Sequence, residues 1–158
     1  MTLELPGIRA ARALSLLLLA ALPAVACTRD GAERPNPIVG TWLVEDPNAP
    51  FPYHLYVFGG DGTMHQANPD AGDPRTSDSD GKGVWEARGT EVRGKWVEVM
   101  ADRTTHQFVG RLEITMQITV TGDSLRATEV VAMFDSTGTS VPVPATPKTL
   151  TGTRVTAR

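Results

Sequence analysis

From Gly110 to Asp123, Leu112, Ile114, Met116, Ile118 and Val120 alternate without interruption with Arg111, Glu113, Thr115, Gln117, Thr119 and Thr121. A helix would scatter these five apolar side chains around its axis, whereas a strand gathers them on one face, so the pattern predicts a half-buried antiparallel strand. No stretch after residue 37 has helical periodicity, and turn signals recur roughly every 8 to 12 residues, the spacing of a sandwich or barrel. The spacing predicts strands at Ile38 to Glu45, Tyr53 to Phe58, Thr63 to Ala67, Gly83 to Arg88, Lys95 to Ala101, Gly110 to Thr121, Ser124 to Phe134, Ser140 to Val143 and Thr149 to Thr156. Turns at Gly59 to Gly62, Arg103 to His106, Gly122-Asp123 and Asp135 to Gly138 join neighbours, so the expected fold is all-β, an up-and-down antiparallel barrel of about eight or nine strands. Closure removes the unpaired edges that an open meander would expose. Pro142 and Pro144 lie two apart and withhold two N–H donors from one strand edge, which predicts an open seam near the C-terminus.

The hairpin around Gly59 to Gly62 is where chemistry concentrates. A loop of two or four residues places Phe58 opposite Thr63, Tyr56 opposite His65 and His54 opposite Ala67. His54, Tyr56, Phe58 and His65 then share one face, with Leu55, Val57 and Met64 on the other. Both faces have apolar character, and the pattern leaves open which one points inward. If the first does, two imidazoles and a phenol inside an apolar cup have the make-up of a small-molecule site; if not, they are solvated groups on the outer wall. A metal would require a third ligand, and His106 falls on a predicted turn, so no metal is expected. The long loop Asn68 to Lys82 contains Asp78-Ser79-Asp80-Gly81, but aligning Gly81 to a calcium-loop turn puts Thr76 and Ala87 at ligand positions, and a solvated acidic loop is the reading retained.

The first residues follow a different logic. Arg9 and Arg12 precede the apolar run Ala13 to Leu22, which is followed by Pro23 and the small residues Ala24-Val25-Ala26, so residues 1–26 read as an export signal. That run is too short for a transmembrane helix. Cys27, the chain's single cysteine, comes directly after. Ala-Val-Ala-Cys resembles the bacterial lipobox, which implies that Cys27 becomes the lipidated start of the mature chain and joins it to a membrane; plain secretion with a free cysteine is the alternative. Residues 27–37, with Arg29, Asp30, Glu33, Arg34, Pro35 and Pro37, read as a flexible tether. The domain at 38–158 has no disulfide to rely on.

The chain has 158 residues, with 15 Lys plus Arg against 18 Asp plus Glu, a net charge of −3 spread without blocks. Nucleic-acid binding calls for basic patches, and none is present. No nucleophile elbow, zinc-protease motif, Cys-x-x-Cys pair or phosphate loop occurs, so neither a catalytic residue nor a cofactor is implied. Glu129 stands out because it interrupts the face of Leu125, Ala127, Val131 and Met133. It is either a buried carboxylate or the mark of a bulge, and the apolar set Val130, Ala132 and Phe134 on the opposite parity favours the bulge.

Each tryptophan lies in a Gly-x-Trp triplet: Gly40-Thr41-Trp42, Gly83-Val84-Trp85 and Gly94-Lys95-Trp96. The first triplet on the opening strand, a meander of this length, and the arginine of Gly152-Thr153-Arg154-Val155 on the last strand together resemble the lipocalin-like calycin superfamily. Asp61-Gly62-Thr63 and Gly83-Val84-Trp85-Glu86 are more narrowly similar to exported bacterial proteins with lipocalin-like domains. The resemblance implies that Trp42 and Arg154 form a structural closure by cation–π contact, and that the barrel is a cup for a small, largely apolar molecule. The resulting expectation is an exported, lipid-anchored barrel that binds such a ligand. The alternatives are a small barrel enzyme of isomerase or cyclase type and an envelope scaffold with a filled interior. Mass spectrometry of the purified protein is expected to show a chain beginning at a lipid-modified Cys27 in the membrane fraction; an unmodified Cys27 in a soluble fraction would remove the anchor and leave export standing.

Overall fold

The computed structural model describes residues 35–69, 73–144 and 146–157. The expected signal at 1–26, the lipidation site Cys27 and residues 28–34 of the tether lie outside the described residues. Ten strands follow one another: β1 (Gly40–Glu45), β2 (Tyr53–Phe58), β3 (Thr63–Ala67), β4 (Thr76–Asp78), β5 (Gly81–Arg88), β6 (Glu91–Asp102), β7 (Phe108–Thr121), β8 (Ser124–Asp135), β9 (Ser140–Val141) and β10 (Lys148–Arg154). Eight of them form a closed antiparallel barrel in the order β10-β1-β2-β3-β5-β6-β7-β8, with β8 pairing β10 to complete the circle. The other two are short additions, β4 on β6 and β9 on β8.

Closure corrects two expectations. The seam foreseen from Pro142 and Pro144 does not split the barrel: β8 pairs β10 up to Glu129 and β9 from Met133, and the prolines lie in the connection between those two strands. The acidic loop from Asn68 is not irregular throughout, because Thr76–Asp78 pairs with Met100 to Asp102, where β6 extends past its last β5 partner at Val97.

The inward positions follow the alternation. On β7, Ile114, Met116 and Ile118 are buried, with Leu112 and Val120 packed beside them. They meet Trp42, Val44, Tyr56, Phe58, Met64, Trp96, Leu125, Ala127 and Leu150 in one continuous core. An eight-strand barrel is just wide enough to be filled by its own side chains, and this one is filled by large ones. The interior rings form a ladder of edge-to-face contacts: Trp85 to Phe58 at 6.3 Å, Phe58 to Tyr56 at 6.5 Å and Tyr56 to Trp96 at 5.4 Å between centroids.

The second and third Gly-x-Trp triplets have a shared cause. In the β5–β6 register Gly83 faces Trp96 and Trp85 faces Gly94, while the Trp96 ring itself reaches over Gly81, where a Cβ would come within 2.2 Å of its Cδ1. A Cβ on Gly83 would come within 2.0 Å of the Lys95 carbonyl and 2.5 Å of the Trp96 Cα, so a side chain there would force the strands apart. At Gly94 the room is taken by Met64, whose Sδ a Cβ would meet at 2.9 Å, so bulky side chains fit this narrow barrel where Gly81, Gly83 and Gly94 carry none.

Trp42 closes one end. Its indole N–H donates to the Ile38 carbonyl at 2.8 Å, its strand pairs it with Arg154, and the Arg154 guanidinium lies 4.2 Å from its ring centroid. Arg154 also donates from Nη1 to the Val39 carbonyl at 2.8 Å, from Nη2 to the Pro37 carbonyl and from Nε to Asp123 at 3.1 Å. Trp42→Ala should destabilise the domain by about 3–5 kcal/mol, and Arg154→Ala by less. In a double-mutant cycle followed by urea unfolding the two should couple, since contacting neighbours are non-additive; independent effects would mean that the stacked pair contributes nothing beyond its separate members.

Candidate functional site

The end opposite Trp42 carries the longer connections, 46–52, 68–80, 103–107 and 136–147, which join β1 to β2, β3 to β5 by way of β4, β6 to β7, and β8 to β10 by way of β9. Side chains pointing into this end of the barrel are unlike those of the core. Three are carboxylates, Asp46, Glu98 and Glu129, exposed by only 3%, 7% and 7%. Each continues an inward parity: Asp46 follows Trp42 and Val44, Glu98 follows Trp96, and Glu129 follows Leu125 and Ala127.

The β7–β8 ladder runs without a register shift from Thr121↔Ser124 to Gly110↔Asp135, so the bulge favoured from sequence is absent and Glu129 is a buried carboxylate. Val130 and Phe134 belong to the outer face, where the Arg111 guanidinium covers the Phe134 ring at 4.3 Å. Opposite Glu129 on β10 is Lys148, whose Nζ lies 3.9 Å from Glu129 Oε1 and 3.5 Å from Asp46 Oδ2. Glu98 accepts a hydrogen bond from Trp96 Nε1 at 3.1 Å.

The β2–β3 hairpin corrects the expected register. Gly59 N donates to the Thr63 carbonyl at 2.8 Å, and the loop between them is Gly60-Asp61-Gly62 with Gly62 at φ 85°. Such a loop has an odd number of residues. Phe58 therefore pairs with Met64, Tyr56 with Gln66 and Val57 with His65. One residue of slip moves a whole strand's side chains to the other face: His65 is exposed on the outer wall, while Met64 and Gln66 join His54, Tyr56 and Phe58 inside. Phe58 is buried in the core between Tyr56 and Trp85. His106 is exposed on the β6–β7 turn. Among the described residues no group of three His, Cys, Asp or Glu side chains is placed to hold a metal ion.

His54 and Tyr56 thus remain of the expected quartet, joined by Gln66, Asp46, Glu98, Glu129 and Lys148. Gln66 Nε2 lies 3.4 Å from His54 Nδ1 and also donates to Asn68 Oδ1, while its Oε1 accepts the Gly81 N–H at 3.1 Å. The other ring nitrogen, Nε2, is buried without a hydrogen-bond partner among the described residues. Burial holds the His54 pKa below its ordinary value against the raising influence of Asp46, so the ring is neutral at physiological pH.

The carboxyl groups respond to the same environment. Desolvation raises Glu129 to about 7, with Lys148 opposing and Asp46 and Glu98 adding to the rise. Desolvation also raises Glu98, the Trp96 N–H opposing and Asp78 and Asp80 reinforcing. Tyr56 is pushed well above its ordinary range by burial and by Glu129, Glu98 and Asp46, and stays a neutral phenol. The site therefore contains three buried acids, one lysine, a neutral imidazole, and a group poised to exchange a proton near pH 7. A cleft of about 590 Å³ lies elsewhere, on the outer wall beside Leu43, Tyr53 and Arg126. Comparison with family models, curated proteins and solved structures finds no match for this chain.

Sequence reasoning missed Asp46, Glu98, Gln66 and Lys148. The signal for Asp46 and Glu98 was the same as for Glu129, a carboxylate at an inward parity position. Lys148 had none, because only barrel closure brings it to Glu129.

Glu129 gives the stability a sign. The folded chain keeps its proton up to about pH 7, and the unfolded chain releases it near the ordinary value of 4.5, so the fold loses stability as pH rises through that window and is flat above it. The shift corresponds to roughly 3 kcal/mol at most. Urea unfolding at pH 4.5 and pH 8 should show Glu129→Gln gaining on the wild type by up to that amount; parallel behaviour at both pH values would show that the carboxyl is hydrated in the native barrel.

Proposed function

We propose that this chain is an exported, lipid-anchored, lipocalin-like barrel that binds a small, largely apolar molecule at its loop end through a cationic or hydrogen-bond-donating head group. The observation that carries this reading is the imbalance of buried charge: Asp46, Glu98 and Glu129 face a single lysine, Lys148, which serves two of them at 3.5 and 3.9 Å. Buried charges are ordinarily paired or metal-bound, and the residues here are not placed for a metal. An organic ammonium group would supply the missing positive charge. Tyr56 and Trp96 would offer it aromatic surface as well.

The packing supports a ligand at the mouth and not deep in the barrel, since Phe58, Met64, Trp42 and Met116 fill the other end. An apolar body would lie against the loop-end rim, with its head group reaching the carboxylates. The filled core also gives weight to a second reading, an envelope barrel that binds nothing inside. No nucleophile is paired with His54 or Glu129, so an isomerase or cyclase role has only a proton-exchanging carboxyl in its favour.

Calorimetric titration with phenethylammonium and with phenethyl alcohol separates these readings. The ammonium should bind and the alcohol should not. Affinity should rise as pH rises through about 7, where Glu129 ionises while the ligand stays charged. Glu129→Gln should abolish that pH dependence. Silence from both compounds, or equal binding of both, would favour the filled scaffold.

A further inference from the structure

The cleft of about 590 Å³ belongs to neither the core nor the loop-end site; it lies on the outer wall across β7, β8, β10, β1 and β2. The ladders arrange its lining in two rows. Thr119 pairs with Arg126, Arg126 with Thr151, Thr151 with Glu45 and Glu45 with Tyr53. One step along the same face, Thr121 pairs with Ser124, Ser124 with Thr153 and Thr153 with Leu43. Adjacent members of a row are roughly 4.8 Å apart and the rows roughly 6.8 Å apart, so the first row extends about 19 Å over four strand spacings and the second about 14 Å over three.

Three properties of these rows point to one class of ligand. The hydroxyls of Thr119, Thr121, Ser124, Thr151 and Thr153 engage no other group among the described residues, so each offers both a donor and an acceptor. Glu45 and Arg126 lie in the same row on either side of Thr151 and neither has an ion pair among the described residues. At the β2 edge, Tyr53 is 52% exposed and Leu43 43% exposed, presenting an aromatic ring and an apolar shelf to solvent. The cleft thus has many hydroxyl-scale hydrogen-bonding positions, one acceptor and one donor of full charge that cancel, and an apolar platform. A volume within the usual range for ligand sites accompanies them.

We propose that this cleft is a binding site for a linear, neutral glycan. A chain of sugar rings presents hydroxyls in both donor and acceptor roles along its length, matching the threonine rows. Its apolar ring faces match Tyr53, an amphipathic side chain that contacts such surfaces at low entropic cost. Arg126 and Glu45 supply the directional bonds that favour one register, and their opposite charges give no advantage to an anionic or cationic polymer. An exported barrel would meet such chains outside the cytoplasm, but the inference stands on the cleft and not on the address.

The test is a printed array of neutral, anionic and amino glycans, probed with the full chain purified in detergent, followed by titration with the best neutral oligosaccharide. Wild type should bind neutral linear glycans, and Tyr53→Ala and Arg126→Ala should each weaken binding roughly tenfold or more. Circular dichroism and thermal melting should leave both variants folded, since both residues are exposed. Absence of binding on the array, preference for charged glycans, or unchanged affinity in both variants would overturn the proposal. So would sedimentation showing a dimer that dissociates on Tyr53→Ala, because Tyr53 would then be covered by a second copy.

Discussion

Closing eight strands into a barrel forces half of every strand's side chains into a space that they must fill themselves. This constraint explains the least expected features of the sequence. Gly81, Gly83 and Gly94 lie in strands, where glycine is unfavourable, yet the Trp96 ring lies over Gly81, Gly83 abuts the Lys95 carbonyl and Met64 fills the space at Gly94. Three missing side chains make room for a large ring and a thioether. The core is consequently a column of rings in edge-to-face contact, and a narrow barrel reaches interior density without a helix packed against it.

The same constraint decides what was legible beforehand. The face of Leu112 to Val120 could be read directly, because a period of two has a single geometric interpretation. The order of strands followed from short turns. The inner face of β2 and β3 could not be resolved, since Leu55 and Val57 are as apolar as Tyr56 and Phe58. The register of that hairpin depended on whether the Gly59 to Gly62 turn spends an odd or even number of residues. The odd loop sends His65 outward and Gln66 inward, a change that alternation alone does not reveal. Glu129 was misjudged for a related reason: an apolar set on the opposite parity suggested a bulge, whereas Arg111 shields Phe134 on the outer wall. Position 148 became meaningful only with the pairing of β10 to β8, which closes the barrel.

Charge is handled in opposite ways at the two ends. At the tryptophan end Arg154 is held by an aromatic face, two carbonyls and Asp123, and part of its surface still meets water. Its charge is stabilised in place and fastens the chain before β1 to the turn after β7. At the loop end Glu129 has one ionic partner, at 3.9 Å, Glu98 leans on an indole N–H, and His54 Nε2 is buried without a hydrogen-bond partner among the described residues.

That asymmetry has an energetic meaning. Apolar side chains of similar volume in place of a buried ion pair are often neutral or stabilising, so leucines at positions 98 and 129 would serve a purely structural barrel at least as well. The acids instead occupy inward positions under the loops, and on the reading proposed above a ligand would arrive there without disturbing the column of rings beneath. A neutral His54 and a carboxyl titrating near pH 7 make the charge of the mouth responsive to whatever enters it. A positive head group would lower the Glu129 pKa and convert a group that costs stability when empty into one that contributes binding energy when filled. The stability lost as pH rises from about 4.5 to about 7 and the affinity gained as Glu129 ionises would then be two measurements of one desolvated carboxylate.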